Sequence, residues 1–326
     1  MTTATQGTVS INLAKIRTNA ITIGRLTGVD VIAVVKADAY GAGAVAVADA
    51  IKDVVAGFYV FSAHEAVVAR LGLITGKSTI AAVPDSRLGV EQLVEHRIRQ
   101  CVWSADMARL FAPTSPVLSV DTGMQRFACP RSHLLEMFHA YEFVEAMTHG
   151  VRPEHASDLV RLINEATPRK LRLHAAGSAL IGNKSAHLDA TRPGLALYHD
   201  AVTVALPLVE ARESRGVIGY TRFASTHHGV ILAGYSHGLA AGPCIVNGTP
   251  QRIVEVGMQS SFVTLGPSDR AGSLVTLLGI DSQGTGAGVG TPLSPSEVAA
   301  AWNCTPQQVL VRLTKLGERV YTEASH

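Results

Sequence analysis

The feature that most restricts how this chain can fold is an alternation. Up to about residue 200, short runs of mostly β-branched apolar residues take turns with amphipathic stretches, at a spacing of roughly 20–25 residues. TVSINLA is followed by KIRTNAITIGRL. The run Val31–Lys36 leads through a Gly-bearing turn into a helix with Val47, Ile51, Val54 and Val55 on one face. GFYVFS precedes HEAVVARLGL, and STIAAV precedes SRLGVEQLVEHR, a helix expected to open on a Ser86 cap. RQCVW and ADMARLF, PVLSVDTG and RSHLLEMFHAY, and FVEAMTHG and HASDLVRLINEA continue the series. LRLHAAGS and a last short strand near Ala190–Tyr198 end it. Strands that are apolar without alternation are buried on both faces, as in a parallel sheet. Eight such units point to an α/β TIM-type (β/α)8 barrel over residues 1–204, with the option that the N-terminal strand packs with a second domain.

From about residue 205 the texture changes. GVIGYTRF, GVILAGY, CIVNGTPQRIVEVG, SSFVTL and GSLVTLLG read as short strands between Gly, Asn, Ser and Pro turns, with Asn247-Gly248 a strong hairpin signal. Residues 205–326 are therefore expected to form a C-terminal, mainly antiparallel β domain. Ser294-Pro295-Ser296-Glu297 has the residues of a capping box opening a helix. GTGAGVG, Gly284–Gly290, lacks the Gly-Lys-Ser/Thr ending of a phosphate loop and reads as a linker.

Composition excludes several functions. A net charge of +2 without a basic run argues against a nucleic-acid partner. No apolar run approaches the roughly 18 residues of a membrane span. Cys101, Cys129, Cys244 and Cys304 show neither C-x-x-C pairing nor metal-ligand spacing, so no metal site is expected. They read as reduced thiols of a cytoplasmic protein, and the N-terminus carries no signal-peptide pattern.

Chemistry enters at Lys36, which ends the apolar run VIAVV. On spacing alone this is equally a surface lysine following a core strand. At the C-terminal end of a barrel strand, however, a partly desolvated lysine loses its proton readily and becomes a nucleophile capable of Schiff-base chemistry. A carbonyl cofactor such as pyridoxal phosphate would then need a phosphate cradle and a partner for its ring nitrogen. HAAGS offers His174 and Ser178, and TRPGLALY offers Arg192, Gly194, Leu195 and Tyr198, at the ends of the last two expected barrel strands. Singly these could be a loop glycine, a half-buried tyrosine or a solvated arginine. Their joint order with Lys36 is harder to dismiss.

VVKADAYGAG, SVDTGMQRF, MTH, HAAGS, RPGLALY, AGYSHG and VGMQ together resemble, in this order, the bacterial alanine racemases, fold-type III pyridoxal-phosphate enzymes. The resemblance covers nearly the whole chain, and the Lys36 and RPGLALY motifs are its most specific parts. It implies a homodimeric amino-acid racemase using pyridoxal 5'-phosphate. Lys36 would be the Schiff-base lysine and the base for the D-enantiomer, and Tyr235, from the other subunit, the base for the L-enantiomer. It further implies that Tyr40, Ser178, Gly194, Leu195 and Tyr198 hold the phosphate and that His149 packs beside the ring. Arg192, supported by His174, would face the ring nitrogen, while Arg126 and Met258 contact the substrate carboxylate region.

The sequence also departs from the family. Ser119 stands where a carbamylated lysine commonly braces the arginine at 126. Ala42 replaces a histidine, Met147 a tyrosine, Gln259 an aspartate and Gln307 a tyrosine at the substrate entry, and the second domain lacks an insertion. These changes imply a substrate larger or more polar than alanine, or a broader range. Two other readings compete: another reaction on this fold, such as decarboxylation, and a non-catalytic pyridoxal-phosphate-binding protein. The first lacks its expected Glu-Pro-Gly-Arg segment, and relatives of the second kind lack a second domain.

Overall fold

The structure is a computed structural model that describes residues 7–280 and 292–322. The chain divides into two compact units, residues 16–39 with 43–198, and residues 1–15 with 40–42 and 199–326. Strand β1 (Gly7–Asn12) lies in the second of these. The next eight strands close into a barrel: β2 (Asp30–Val34), β3 (Gly57–Ser62), β4 (Thr79–Val83), β5 (Ile98–Val102), β6 (Val117–Ser119), β7 (Glu145–Gly150), β8 (Arg172–Gly177) and β9 (Ala190–Arg192). Neighbouring barrel strands are parallel, and the ring closes where Asp30 and Val31 of β2 pair with Ala190 and Thr191 of β9.

The burial pattern explains why these runs lack polar alternation. Ile32, Ile80, Cys101, Val117, Met147 and Ala190 form one buried cluster, with Tyr59 packed against it. One residue further along or back, Ala33, Phe58, Val60 and Ala81 are as deeply buried, so β2, β3 and β4 are covered on both faces. Burying a side chain the size of Phe58 contributes about 1.5–3 kcal/mol. Polar side chains in this setting are only partly satisfied: Gln100 Nε2 donates to the carbonyls of Ala81 and Cys101 at 3.0 and 3.1 Å, while its Oε1 has no partner among the described residues.

The second unit is built on an eight-stranded sheet. Its later strands are β10 (Val202–Glu213), β11 (His227–Ile231), β12 (Gly242–Val246), β13 (Thr249–Val256), β14 (Ser261–Thr264), β15 (Leu274–Leu278) and β16 (Gly317–Thr322), in the order β11-β14-β13-β12-β15-β10-β1-β16. Pairing is antiparallel except between β1 and β16. Asn247 and Gly248, both at positive φ, make the tight β12–β13 hairpin. Ser294 accepts from the Glu297 amide, and the Glu297 carboxylate accepts from the Ser294 amide, completing the capping box of the helix Pro295–Trp302.

Four local expectations change. Ser86 does not cap a helix: Asp85 folds the chain back by accepting from Arg87 N, and the helix starts at Val90 on a Gly89 cap with Gln92 reaching back to it. HEAVVARLGL is two helices, Ala63–Val68 and Leu71–Thr75, because Arg70 turns left-handed at φ 51°. The helix after Gly43 ends at Ile51, before Val54 and Val55. GVIGYTRF contributes only an Ile218–Phe223 bridge. Gly216, Gly219 and Arg222 at positive φ bend it, and Glu255 anchors the bend by accepting from the Tyr220 and Thr221 amides. The stretch Gly284–Gly290 lies outside the described residues. Among the described residues no helix is long and apolar enough to cross a membrane.

Candidate active site

In the barrel unit the functional candidates gather at the C-terminal ends of the strands, where barrels of this kind place their chemistry. Lys36 follows β2 and is half-buried. The backbone beyond it is unusual: Ala37, Asp38, Ala39 and Tyr40 all have φ between 52° and 58°. Left-handed helical geometry costs L-residues roughly 1–2 kcal/mol each, so four in succession require anchoring. Gly43 N and Ala44 N donate to the Asp38 carbonyl and carboxylate at 2.9 and 2.7 Å, and Ala39 N donates to Val35 O at 2.9 Å. The Glu65 carboxylate accepts from Ala37 N at 3.3 Å. Strain held by this many contacts marks functional segments more often than ordinary turns.

Burial lowers the Lys36 amine from its ordinary value. The Arg126 guanidinium lowers it further, and Glu65 opposes them. Arg126 lies in the loop after β6 between Gln125 and Phe127, both at positive φ, with its guanidinium 5.6 Å from the Phe127 ring centre. Among the described residues it forms no hydrogen bond or ion pair, and Ser119 is buried and ends β6. His149, on β7, is held down to about 4 by the protein packed around it and by the cations of Arg192, Lys36 and Arg126.

Arg192 is the best-fixed cation of the group. It ends β9 and is 5 % exposed. One Nη donates to His174 Nδ1 and, at 3.0 Å, to His174 O; the other donates to the carbonyls of Thr148 and Ala175. Its guanidinium also lies 5.5 Å from the Tyr59 ring centre. Since His174 Nδ1 accepts, the network assigns the ring proton to Nε2, which donates to Glu145 at 2.8 Å. Burial and the neighbouring arginine push His174 down to about 4, so it stays neutral. Burial would raise Glu145, but the His174 hydrogen bond and Arg99 outweigh it and hold the carboxyl at about 2. Arg172 joins Glu145 to Asp30, so the chain of contacts runs from the site to the opposite end of β2.

Ser178, after β8, and the 3-10 turn Leu195–Tyr198 form a compact corner. Ser178 Oγ accepts from Gly194 N at 2.9 Å and Ala196 N at 3.2 Å, while Tyr198, 2 % exposed, donates to Val34 O at 3.0 Å. Two backbone amides thus converge on one hydroxyl beside Leu195. Tyr40 is buried in the second unit, where Thr314 Oγ1 meets its carbonyl, and burial pushes its phenol up to about 12.

The second unit brings Tyr235 and Met258 together. Tyr235 N and Ser236 N donate to the carbonyls of Gly257 and Met258 at 2.9 and 3.1 Å, and both side chains are well exposed. Gly234 makes this crossing possible: a Cβ there would lie 2.2 Å from Gly257 O and 2.4 Å from Met258 O. His237 Nδ1 accepts from Gly234 N at 3.2 Å and holds the turn. Gln259 and Gln307 are exposed in the same unit.

Tyr59, Glu65, Glu145 and His237 take part without having been singled out from the sequence. Glu145 had a signal, as the one acidic residue in its strand, Glu145–Gly150. Glu65 had another, as the fourth residue of a Ser-x-x-Glu pattern. Tyr59 had none, because an aromatic residue is ordinary in a strand.

A closed parallel (β/α)8-type barrel with a separate, largely antiparallel sheet unit and a lysine after the first barrel strand defines a narrow structural class. The family model for the alanine racemase N-terminal domain matches residues 11–202, and the chain belongs to the alanine racemase family. Curated relatives include the alanine racemases of Pectobacterium atrosepticum, 27 % identical with 94 % of this chain and 96 % of the relative covered, and of Treponema pallidum, 29 % identical with 95 % and 98 % covered. Solved structures of the same fold include alanine racemase from Streptomyces lavendulae, with a TM-score of 0.84 at 19 % identity over 99 % of this chain and 98 % of that one. Alanine racemase from Bartonella henselae with covalently bound pyridoxal phosphate gives a TM-score of 0.82 at 21 % identity, over 98 % of this chain and all of the other.

Proposed function

We propose that this chain is a pyridoxal-phosphate-dependent amino-acid racemase that interconverts L- and D-enantiomers of alanine and of larger or more polar relatives. The observation that carries the reading is the pairing of a depressed Lys36 amine with a rigidly held Arg192. The residues present fit the cofactor. Four of the five Arg192 N–H groups have acceptors, which leaves Nε–H free to donate to a ring nitrogen. Arg126 makes no hydrogen bond or ion pair among the described residues, and Ser178 Oγ, which accepts from Gly194 N and Ala196 N, keeps its own proton to donate to an anion.

Lys36, Tyr40, His149, Ser178, Gly194, Leu195, Tyr198 and Arg192 would hold pyridoxal phosphate, which when bound supplies an electron sink for the electron pair left by a departing α-proton. Racemisation needs one proton-transfer group on each face of the α-carbon. Lys36 Nζ would serve the D-enantiomer, and Tyr235 Oη, from the second subunit of a homodimer, the L-enantiomer. Burial and Arg126 favour the neutral amine that can accept a proton. Neutral His174 accepts from Arg192 at Nδ1 and, held in turn by Glu145 at Nε2, fixes the guanidinium plane. Arg126 and the Met258 backbone would orient the substrate carboxylate. The exposed Gln307, with Ser119, Ala42, Met147 and Gln259, supports a range wider than alanine.

A chiral product assay over alanine, serine and longer or cationic amino acids tests this. Deuterium incorporation at Cα with inversion is expected. Decarboxylated product, or cofactor binding with no exchange, would replace the reading.

A further inference from the structure

The Glu65 carboxylate is placed where helix capping alone would not put it. Ser62 caps the helix Ala63–Val68, and Glu65 is the third residue of that helix. In an ordinary capping box this glutamate returns to the amide of the cap residue. Here Oε2 instead accepts from Phe61 N, one residue earlier, at 3.0 Å, and Oε1 crosses to Ala37 N at 3.3 Å. Ala37 directly follows Lys36 and is the first of the four left-handed residues. One carboxylate is thereby pinned at both oxygens, with one of them on the peptide that aims the lysine.

We propose that Glu65 is a positioning residue for Lys36, clamping the start of the left-handed turn and holding a fixed negative charge toward the lysine amine. The inference rests on the reading of Lys36 as the cofactor lysine. The groups around Nζ make the charge matter. Arg126 approaches from the loop after β6 and His149 from β7. Asp38, the nearest acid along the chain, is turned to Ala44 N at 2.7 Å. Among the described residues Glu65 is the acidic group acting on Nζ, and it does so through space without an ion pair. An amine that both receives and returns a proton needs a charged form that is accessible but not favoured. Burial and Arg126 pull one way, and a rigid anion at some distance pulls back. Fixing that anion on two backbone amides stops it from swinging onto the amine and locking the charged form.

The test is the pH dependence of coupling between pyridoxal phosphate and Lys36 in the full chain, trapped with borohydride and quantified at the Lys36 peptide. The chain has seven lysines, so the site is readily resolved from background. Glu65→Gln removes the anion and should move the coupling profile to lower pH, raising the ratio of the rate at pH 7 to that at pH 9 at least about threefold. Glu65→Asp keeps the charge and should return the profile toward wild type. An unchanged profile in Glu65→Gln, with or without a lower melting temperature, overturns the proposal and leaves Glu65 a capping residue. Absence of coupling at Lys36 in the wild-type chain removes the cofactor reading and this inference with it.

Discussion

Arg192 donates to Nδ1 of His174, a histidine fully buried on β8. That contact exists only while the imidazole is neutral, because a protonated ring has no acceptor left. The electrostatics of the site therefore depend on a histidine that never meets solvent.

This linkage predicts an acid limit on stability. The folded value of His174, about 4, lies below the roughly 6.5 of an unfolded histidine. The unfolded chain therefore binds the extra proton first as pH falls. The stabilisation is complete above about pH 6.5 and lost by about pH 4, at a cost of about 3 kcal/mol. Glu145, held at about 2, adds a further loss between about pH 4.5 and 2. Chemical denaturation at a series of pH values should show both slopes, and His174→Gln should flatten the upper one.

Removing the acid alone should be worse than removing the acidity. Glu145→Gln leaves the partly exposed Arg99 without its carboxylate, while Arg172 keeps Asp30, with an expected loss of about 1–3 kcal/mol. Urea midpoints of the two proteins check this.

Lys36→Ala should abolish borohydride-trappable pyridoxal phosphate and lower racemisation by at least about 10³-fold, without lowering the melting temperature. Retained trapping at another lysine would move the assignment.

Tyr235→Phe removes one hydroxyl from an exposed side chain, so stability should hold. Under the two-base reading, solvent-deuterium exchange should fall about 10²–10⁴-fold from the L-enantiomer and less from the D-enantiomer. Equal losses from both would argue against it.

Gly234→Ala forces a methyl group against the carbonyls of Gly257 and Met258. The expected cost is about 1–3 kcal/mol together with displacement of the Tyr235 turn. Calorimetry and exchange from the L-enantiomer report the two effects separately.

The barrel was legible because its strands are buried on both faces and carry no alternation, and because Lys36, Ser178 and the Arg192–Tyr198 segment recur at strand ends. Boundaries were less so. A turn made by Asp85 displaced the Ser86 cap, and Val202–Glu213 passed unnoticed because its central strand character depends on β1, β11 and β15 beside it. Which residues act through others was not legible at all. Glu145 reaches His174 from 29 residues away and Glu65 reaches Ala37 from 28, and no local pattern encodes a contact of that span.

The sequence by itself determined the parallel barrel, the Ser294–Glu297 capping box, the Asn247-Gly248 hairpin and the lysine at the end of its first barrel strand, since each follows from local periodicity or turn chemistry. Tertiary structure alone decided the charge states around that lysine. Desolvation, the left-handed run at Ala37–Tyr40 and the buried Arg192–His174–Glu145 chain arise only when distant strands close around one another.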